Sequence, residues 1–377
     1  MEKEEALQHF IKNEAIPRIT ESLLALEDYF QTHKDTLVHD FIHSFQHLCH
    51  IIKERQEQGE KGKIGYITYS MLRTEIMEER SIYGIEATDS RWFFYPKACQ
   101  AEYDAGWAFF FLDELENELE KARKAYMGEI TKLDIEKLKL KEAAKYHQYV
   151  ISLARYAMPQ AVLLPAYLEI EKEEELEIRV GEYRDLSEVV YKEDARIKDA
   201  ETMKEWLEEK EEYAYAYEVF SHLDLSYGEY EGIDLRYANM KQSNLSHSTL
   251  CGCTLIGTAF TLCDLEEADL SYSLIHEADF SQSNLKGAMF REVEGSSGLL
   301  DPSSWDMPGF MSVSFIGANL EGADFTRANL KGAVFVGANL TATNFTGANL
   351  ERAIFSMEDM EKVELDDIQR ESVIWKA

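Results

Sequence analysis

From about residue 220 an apolar side chain occupies every fifth position. The series runs Leu225, Tyr230, Leu235, Met240, Leu245, Leu250, Leu255, Phe260, Leu265, Leu270, Ile275, Phe280, Leu285 and Phe290. It resumes at Phe315 and continues through Leu320, Phe325, Leu330, Phe335, Leu340, Phe345 and Leu350 to Phe355. Two positions earlier the residue is usually small, as at Ala238, Ser243, Cys253, Thr258, Ala288, Ala318 and Ala348, and between the two stands Asp or Asn, as at Asp264, Asn284, Asp324 and Asn349. A period of five matches neither the 3.6 of a helix nor the 2 of a strand. It calls for a chain that turns a corner every five residues, so that four sides close one coil of about twenty, at a coil spacing of about 4.8 Å. The small and the large residue of each side point inward and the polar ones outward. Residues twenty apart then stack: Phe315, Phe335 and Phe355 on one side, Phe325 and Phe345 opposite, Leu320 with Leu340 and Leu330 with Leu350 on the other two. Gly317, Gly322, Gly332, Gly337 and Gly347 fall at the corners, where a permissive backbone is needed.

The N-terminal half reads differently. Helical spacing predicts helices near 3–30, bent or broken by Pro17, and at 35–57, 98–126, 131–157 and 200–219, with Pro159 and Pro165 ending the fourth. β-branched and aromatic residues around Asp89-Ser90 predict strands within 74–94, and period-two alternation predicts strand again within 175–191. The expected organisation is a mostly helical domain with a few strands over 1–215, the coil over 216–360 and a short amphipathic cap over 361–377. No flexible linker is visible before the coil, so the two domains are expected to be rigidly joined. Residues 291–313 leave the pattern. Pro302, Pro308 and Trp305 suit a loop thrown out from the coil better than a degenerate coil, and Trp305 with Phe310 are candidate recognition residues.

The unit Ala-(Asp/Asn)-(Leu/Phe)-x-x, in 23 copies of one register, resembles the pentapeptide-repeat family over a little more than a third of the chain. The resemblance implies a right-handed quadrilateral β-helix. Some members mimic duplex DNA and bind DNA gyrase, protecting it from quinolones, and some dimerise through a C-terminal cap. The fold class expected is therefore multidomain: a helical domain followed by an all-β solenoid.

Charge and chemistry refine this reading. The 377 residues carry 39 Lys+Arg against 71 Asp+Glu, a net charge of −32, which repels nucleic-acid phosphates and anionic membranes. No apolar run is long enough to span a bilayer, the first residues do not read as a signal peptide, and five cysteines make no disulfide framework, so a cytoplasmic location is expected. His39, His43, His47 and His50 share the polar face of one helix, opposite Phe41, Phe45 and Leu48, and pairs four apart are candidate transition-metal ligands. A solvated helix face is the commoner reading. Cys253 and Cys263 sit at small-residue sites, where interior filler is expected. No phosphate-cradling, zinc-protease or nucleophile-elbow motif is present, so neither catalysis nor a cofactor is expected. Three functions remain open: a non-enzymatic interaction scaffold with a protein partner, a DNA mimic of the gyrase-binding kind, and a metal-dependent sensor or enzyme centred on the histidine face. A homodimer through the cap is the alternative role of its apolar residues.

Overall fold

The computed structural model describes residues 3–92, 98–297 and 311–376. Two compact units divide between Ala195 and Arg196. This boundary precedes the expected one at 215, because the segment after Ala195 carries a helix whose apolar side chains belong to the coil.

The first unit is helical with a five-stranded mixed sheet. Helix α1 (Lys3–Phe10) passes through a π-turn, Ile11–Ala15, into α2 (Ile16–Glu57). Pro17 lies in the first turn of α2, directly after the π-turn. The break expected at 31–34 does not occur: that polar run is a solvent-facing stretch of one 42-residue helix. The sheet is ordered β3-β2-β1-β4-β5, with β1 (Ile64–Met71) parallel to β4 (Lys172–Glu182) and the other pairs antiparallel. Strands β2 (Ile82–Thr88) and β5 (Ser187–Asp194) fall within or beside the expected segments. Two corrections concern strands. β1 was not expected at all, and β3 (Cys99–Asp104) occupies the start of the expected helix 98–126, which begins only at α4 (Gly106–Ala122). Cys99–Asp104 alternates buried and exposed side chains and pairs along β2, which outweighs its helical propensity. After the short helix α3 (Arg73–Met77), β2, β3 and α4, helix α5 (Lys132–Ala161) opens on a Thr131/Asp134 capping box and runs past Pro159; Pro165 instead starts α6 (Pro165–Leu168). Phe41 of α2 stacks on Tyr69 of β1 at 4.9 Å, and Phe109 of α4 and His147 of α5 lie against Tyr83 of β2. Helices α2, α4 and α5 thus cover one face of the sheet.

The second unit begins with α7 (Ala200–Glu208), shorter than the expected helix 200–219, and continues as a β-helix-type coil. Parallel bridges join residues twenty apart in four rows: Val219 to Asn239 and Ala259, Asp224 to Asn244 and Asp264, Glu229 to Thr249 and Asp269, Asp234 to Thr254 and Leu274. Every candidate core residue named above is buried, including Leu265, Leu270, Phe280, Leu285 and the series Phe315–Phe355. The register also reaches further back, since Tyr215 and Phe220 are buried in the same core.

The expected excursion at 291–313 has narrower bounds, since 291–297 and Val313 stay in the coil, and residues 298–310 lie outside the described residues. The rows resume as Asp279↔Ser314, Asn284↔Asn319, Met289↔Asp324 and Glu294↔Asn329, thirty-five apart instead of twenty. The added separation is fifteen residues, and the two flanks meet at one corner, where Ser297 Oγ donates to Ser312 Oγ at 3.0 Å. Trp305 and Phe310 lie outside the described residues. Across the gap the rings keep their partners. Phe260, Phe280, Phe315, Phe335 and Phe355 form one near-parallel stack at 4.8–5.2 Å, and Phe290, Phe325 and Phe345 another at 4.7–5.3 Å. The two stacks meet edge to face, as Phe315 and Phe325 do at 5.4 Å and 82°, an arrangement worth about 0.5–1.5 kcal/mol per pair beyond burial.

Both ends are closed. At the start Leu207 is buried on the core, Trp206 packs against Tyr215 and Phe220, and Lys198 and Lys204 donate to the first-coil carbonyls of Val219 and Ser226. At the end, β6 (Ile354–Ser356) pairs with β7 (Ile374–Lys376), and α8 (Asp367–Ser372) presents Gln369, whose amide donates to Phe345 O at 2.8 Å and Ala348 O at 2.9 Å. Val363 and Val373 of the tail are buried against the coil.

Candidate interaction surface

Each five-residue repeat makes the same set of contacts, and these decide what faces outward. The carbonyl of the large residue accepts the N–H of the third residue on, as Leu320 O does from Ala323 at 3.0 Å. The residue between them takes a positive φ: +69° at Gly322, but also +59° at Gln242, +60° at Gln282 and +59° at Arg327. That is the geometry of a type II turn, in which glycine is favoured without being compulsory. The corner glycines were legible in the sequence, while the non-glycine corners were not.

The Asx position has two roles. Its Oδ1 accepts the backbone N–H two residues on, as Asp264 does from Glu266 and Asn339 from Thr341. An Asn also reaches one coil back: Asn339 Nδ2 donates to Asn319 Oδ1 (2.9 Å), Asn319 to Asn284 (3.1 Å), and Asn284 to Asp264 (2.9 Å). Shorter ladders run from Asn349 through Asn329 to Glu294 and from Asn344 to Asp324. At the small position hydroxyls and thiols replace Ala by donating to the coil beneath: Ser243 to Phe220 O, Thr258 to Leu235 O, Cys253 to Tyr230 O and Cys263 to Met240 O. Burial pushes the thiols of Cys253 and Cys263 up to about 12, so both are unreactive filler.

The outer corners carry stacked rings one coil apart, Tyr217 on Tyr237 at 5.5 Å and Tyr227 on His247 at 4.8 Å, and His247 pairs with Glu267 at 3.2 Å. Carboxylates gather beside them at Asp264, Glu266, Glu267 and Asp269. Cross-coil ion pairs, Arg291–Asp324, Lys286–Glu321 and Lys331–Glu351, bind neighbouring turns.

In the first unit His39, His43, His47 and His50 are exposed on α2, with Phe41, Phe45 and Leu48 buried behind them. Among the described residues no group of three or more His, Cys, Asp or Glu side chains is placed to hold a metal ion. The titratable groups that this unit does bring together are interior ones. The Tyr83 hydroxyl meets His147 Nδ1 at 2.6 Å, Tyr149 donates to buried Glu27 at 2.6 Å, and Lys139 bridges Asp113 and Glu116 at 2.6 and 2.7 Å. Burial lowers His147 to about 4, against weaker pulls from Glu182 and Glu188. No sequence signal marked these residues, because each pair joins elements distant along the chain. No helix among the described residues is long and apolar enough to cross a membrane.

A family model described as pentapeptide repeats matches eight copies over residues 231–266, 263–294 and 310–356. Residues 231–356 of this chain are a pentapeptide-repeat region. Solved structures similar to it include QnrB1, a plasmid-mediated fluoroquinolone resistance protein, at 15% identity over 43% of this chain and 85% of that one, TM-score 0.29. HetL, involved in heterocyst differentiation regulation in the cyanobacterium Nostoc, is 17% identical over 42% of this chain and 98% of its own, TM-score 0.14. A pentapeptide-repeat protein of the Arabidopsis thaliana thylakoid lumen is 24% identical over 41% of this chain and 70% of that one, TM-score 0.10. No curated protein matches the chain. The pentapeptide-repeat region thus accounts for the coil, and the first unit stands outside the matched residues.

Proposed function

We propose that this chain is a non-enzymatic protein-interaction scaffold. In this reading the repeat is a right-handed, four-sided β-helix offering flat sides to a protein partner, and the helical unit adds specificity. The observation that carries it is the periodic outer surface itself. Its Asx side chains are engaged in turns and ladders, and it presents a repeating surface in place of a cleft, the usual setting for catalysis. The test is capture from the native host with the full chain, in parallel with a Glu266→Lys/Glu267→Lys variant. Recovery of one stoichiometric protein by the wild type and its loss with the variant supports the scaffold. A turnover that copurifies with the chain and is abolished by a single substitution overturns it.

The second reading is DNA mimicry of a topoisomerase substrate. It is favoured by the net charge of −14 over residues 221–377. Purified gyrase distinguishes the two: a mimic inhibits supercoiling or protects it from a quinolone at micromolar chain, and a scaffold with another partner does neither.

A further inference from the structure

The four rows of the coil are not equivalent. One begins at Val219 and, beyond that first rung, passes through Asn239, Ala259, Asp279, Ser314, Val334 and Ile354 to Ile374, the last rung being added by the pairing of β7 with β6. Among the described residues of this row and its outward corner, from Asn239 to Lys376, only Lys241, Asp279 and Lys376 are charged. The neighbouring row alone carries Asp264, Glu266 and Glu267 on a single coil. Large apolar side chains stand open on this sparsely charged row: Leu262 is 49% exposed, Ile316 46% and Ile374 45%, with Val334, Val336 and Ile354 half-buried between them.

We propose that this row is a self-association surface, on which a second copy of the chain docks the same row about a two-fold axis near Val334. Two considerations select that occupant. Two copies at −32 each repel one another, and this is the side on which they approach without placing carboxylate against carboxylate. A two-fold contact also needs one patch that complements itself. A flat, β-branched, nearly neutral strip meets that requirement, whereas an acidic row facing its own copy does not. An apolar strip with a charged surround is also the form that protein–protein contacts take on otherwise soluble surfaces. Of the cap, only the strand Ile374–Lys376 belongs to the row. Val363 and Val373 are already used on the coil, and Ile368, the most exposed apolar residue of the cap at 81%, lies on α8 outside the row.

Sedimentation equilibrium of the full chain over a concentration series, at low and high salt, tests the proposal. The expected result is a monomer–dimer equilibrium that tightens as salt screens the repulsion between copies. Val336→Glu and, separately, Ile316→Glu each weaken dimerisation by about tenfold or more, a change of ~1.4 kcal/mol, with an unaltered circular dichroism spectrum, while Ile368→Glu dimerises as the wild type does. A chain that stays monomeric throughout overturns the proposal. So does a dimer indifferent to both row substitutions, and so does one dissociated by Ile368→Glu, which would move the contact to the cap.

Discussion

At the residue scale the repeat works by compensation between neighbours on one side of a coil. Tyr230 occupies a centre that elsewhere holds Leu, Ile, Met or Phe, and its ring fills the space that a small residue takes in other repeats. Position 228 is accordingly glycine: a Cβ there would stand 2.0 Å from Tyr230 Cζ. The Tyr230 hydroxyl finds its partner within the coil, donating to Leu225 O at 2.9 Å. Gly228→Ala is therefore expected to destabilise the coil by about 1–3 kcal/mol through overpacking, and Gly228→Ala/Tyr230→Leu to recover most of that loss. Thermal melts followed by circular dichroism measure both. Additive losses in the double variant would show that the two positions do not share one space.

The alternation of tiny and bulky residues was legible because each repeat needs both to fill a layer. Element by element, legibility depended on whether a pattern lived inside one segment. The coil was readable because its ladders are written in the chain at fixed spacing. Strand β1 was not, because Ile64–Met71 is buried almost throughout, and a strand covered on both faces loses the alternation that reveals it. Strand β3 was missed because it is short and runs directly into an amphipathic helix. The excursion's length was also legible in principle, since only by discounting fifteen residues do Phe260 and Phe280 share a side with Phe315, and Leu265 and Leu285 with Leu320. The bridges are intact on either side of it, and its flanks Ser297 and Ser312 are in contact. Deleting 298–312 and joining Ser297 to Val313 is expected to preserve the coil, with a β-type spectrum and a melting temperature within a few degrees of wild type, roughly 1 kcal/mol for a chain of this size. Loss of the cooperative melt would show the segment to be part of the coil's support.

For the whole molecule, the two units place their titratable groups differently. The coil's core is apolar apart from hydroxyls and thiols that donate to carbonyls, whereas the first unit buries His147, Glu27 and Lys139. A histidine held near 4 in the folded unit and near 6.5 unfolded binds its proton more readily when unfolded. Its contribution is complete above pH 6.5 and is lost as pH falls toward 4. The scale is roughly 3 kcal/mol over that window. Urea melts at pH 7 and pH 4.5 should show the first unit losing stability as acid is added, and His147→Phe should flatten that dependence. An unchanged pH profile in the variant would assign the acid sensitivity to other groups. The histidines of α2 were legible as a polar helix face, and all four are exposed.

The amide ladders have a direction, and it matches the direction of synthesis. Asn339 donates to Asn319, Asn319 to Asn284, and Asn284 to Asp264, where the chain of donors stops on a carboxylate that has nothing to give. Each acceptor oxygen therefore emerges from the ribosome before the amide that will need it, and each new turn is laid on a template already finished. A solenoid wired this way can wind up behind its own leading end without waiting for the rest of the polypeptide.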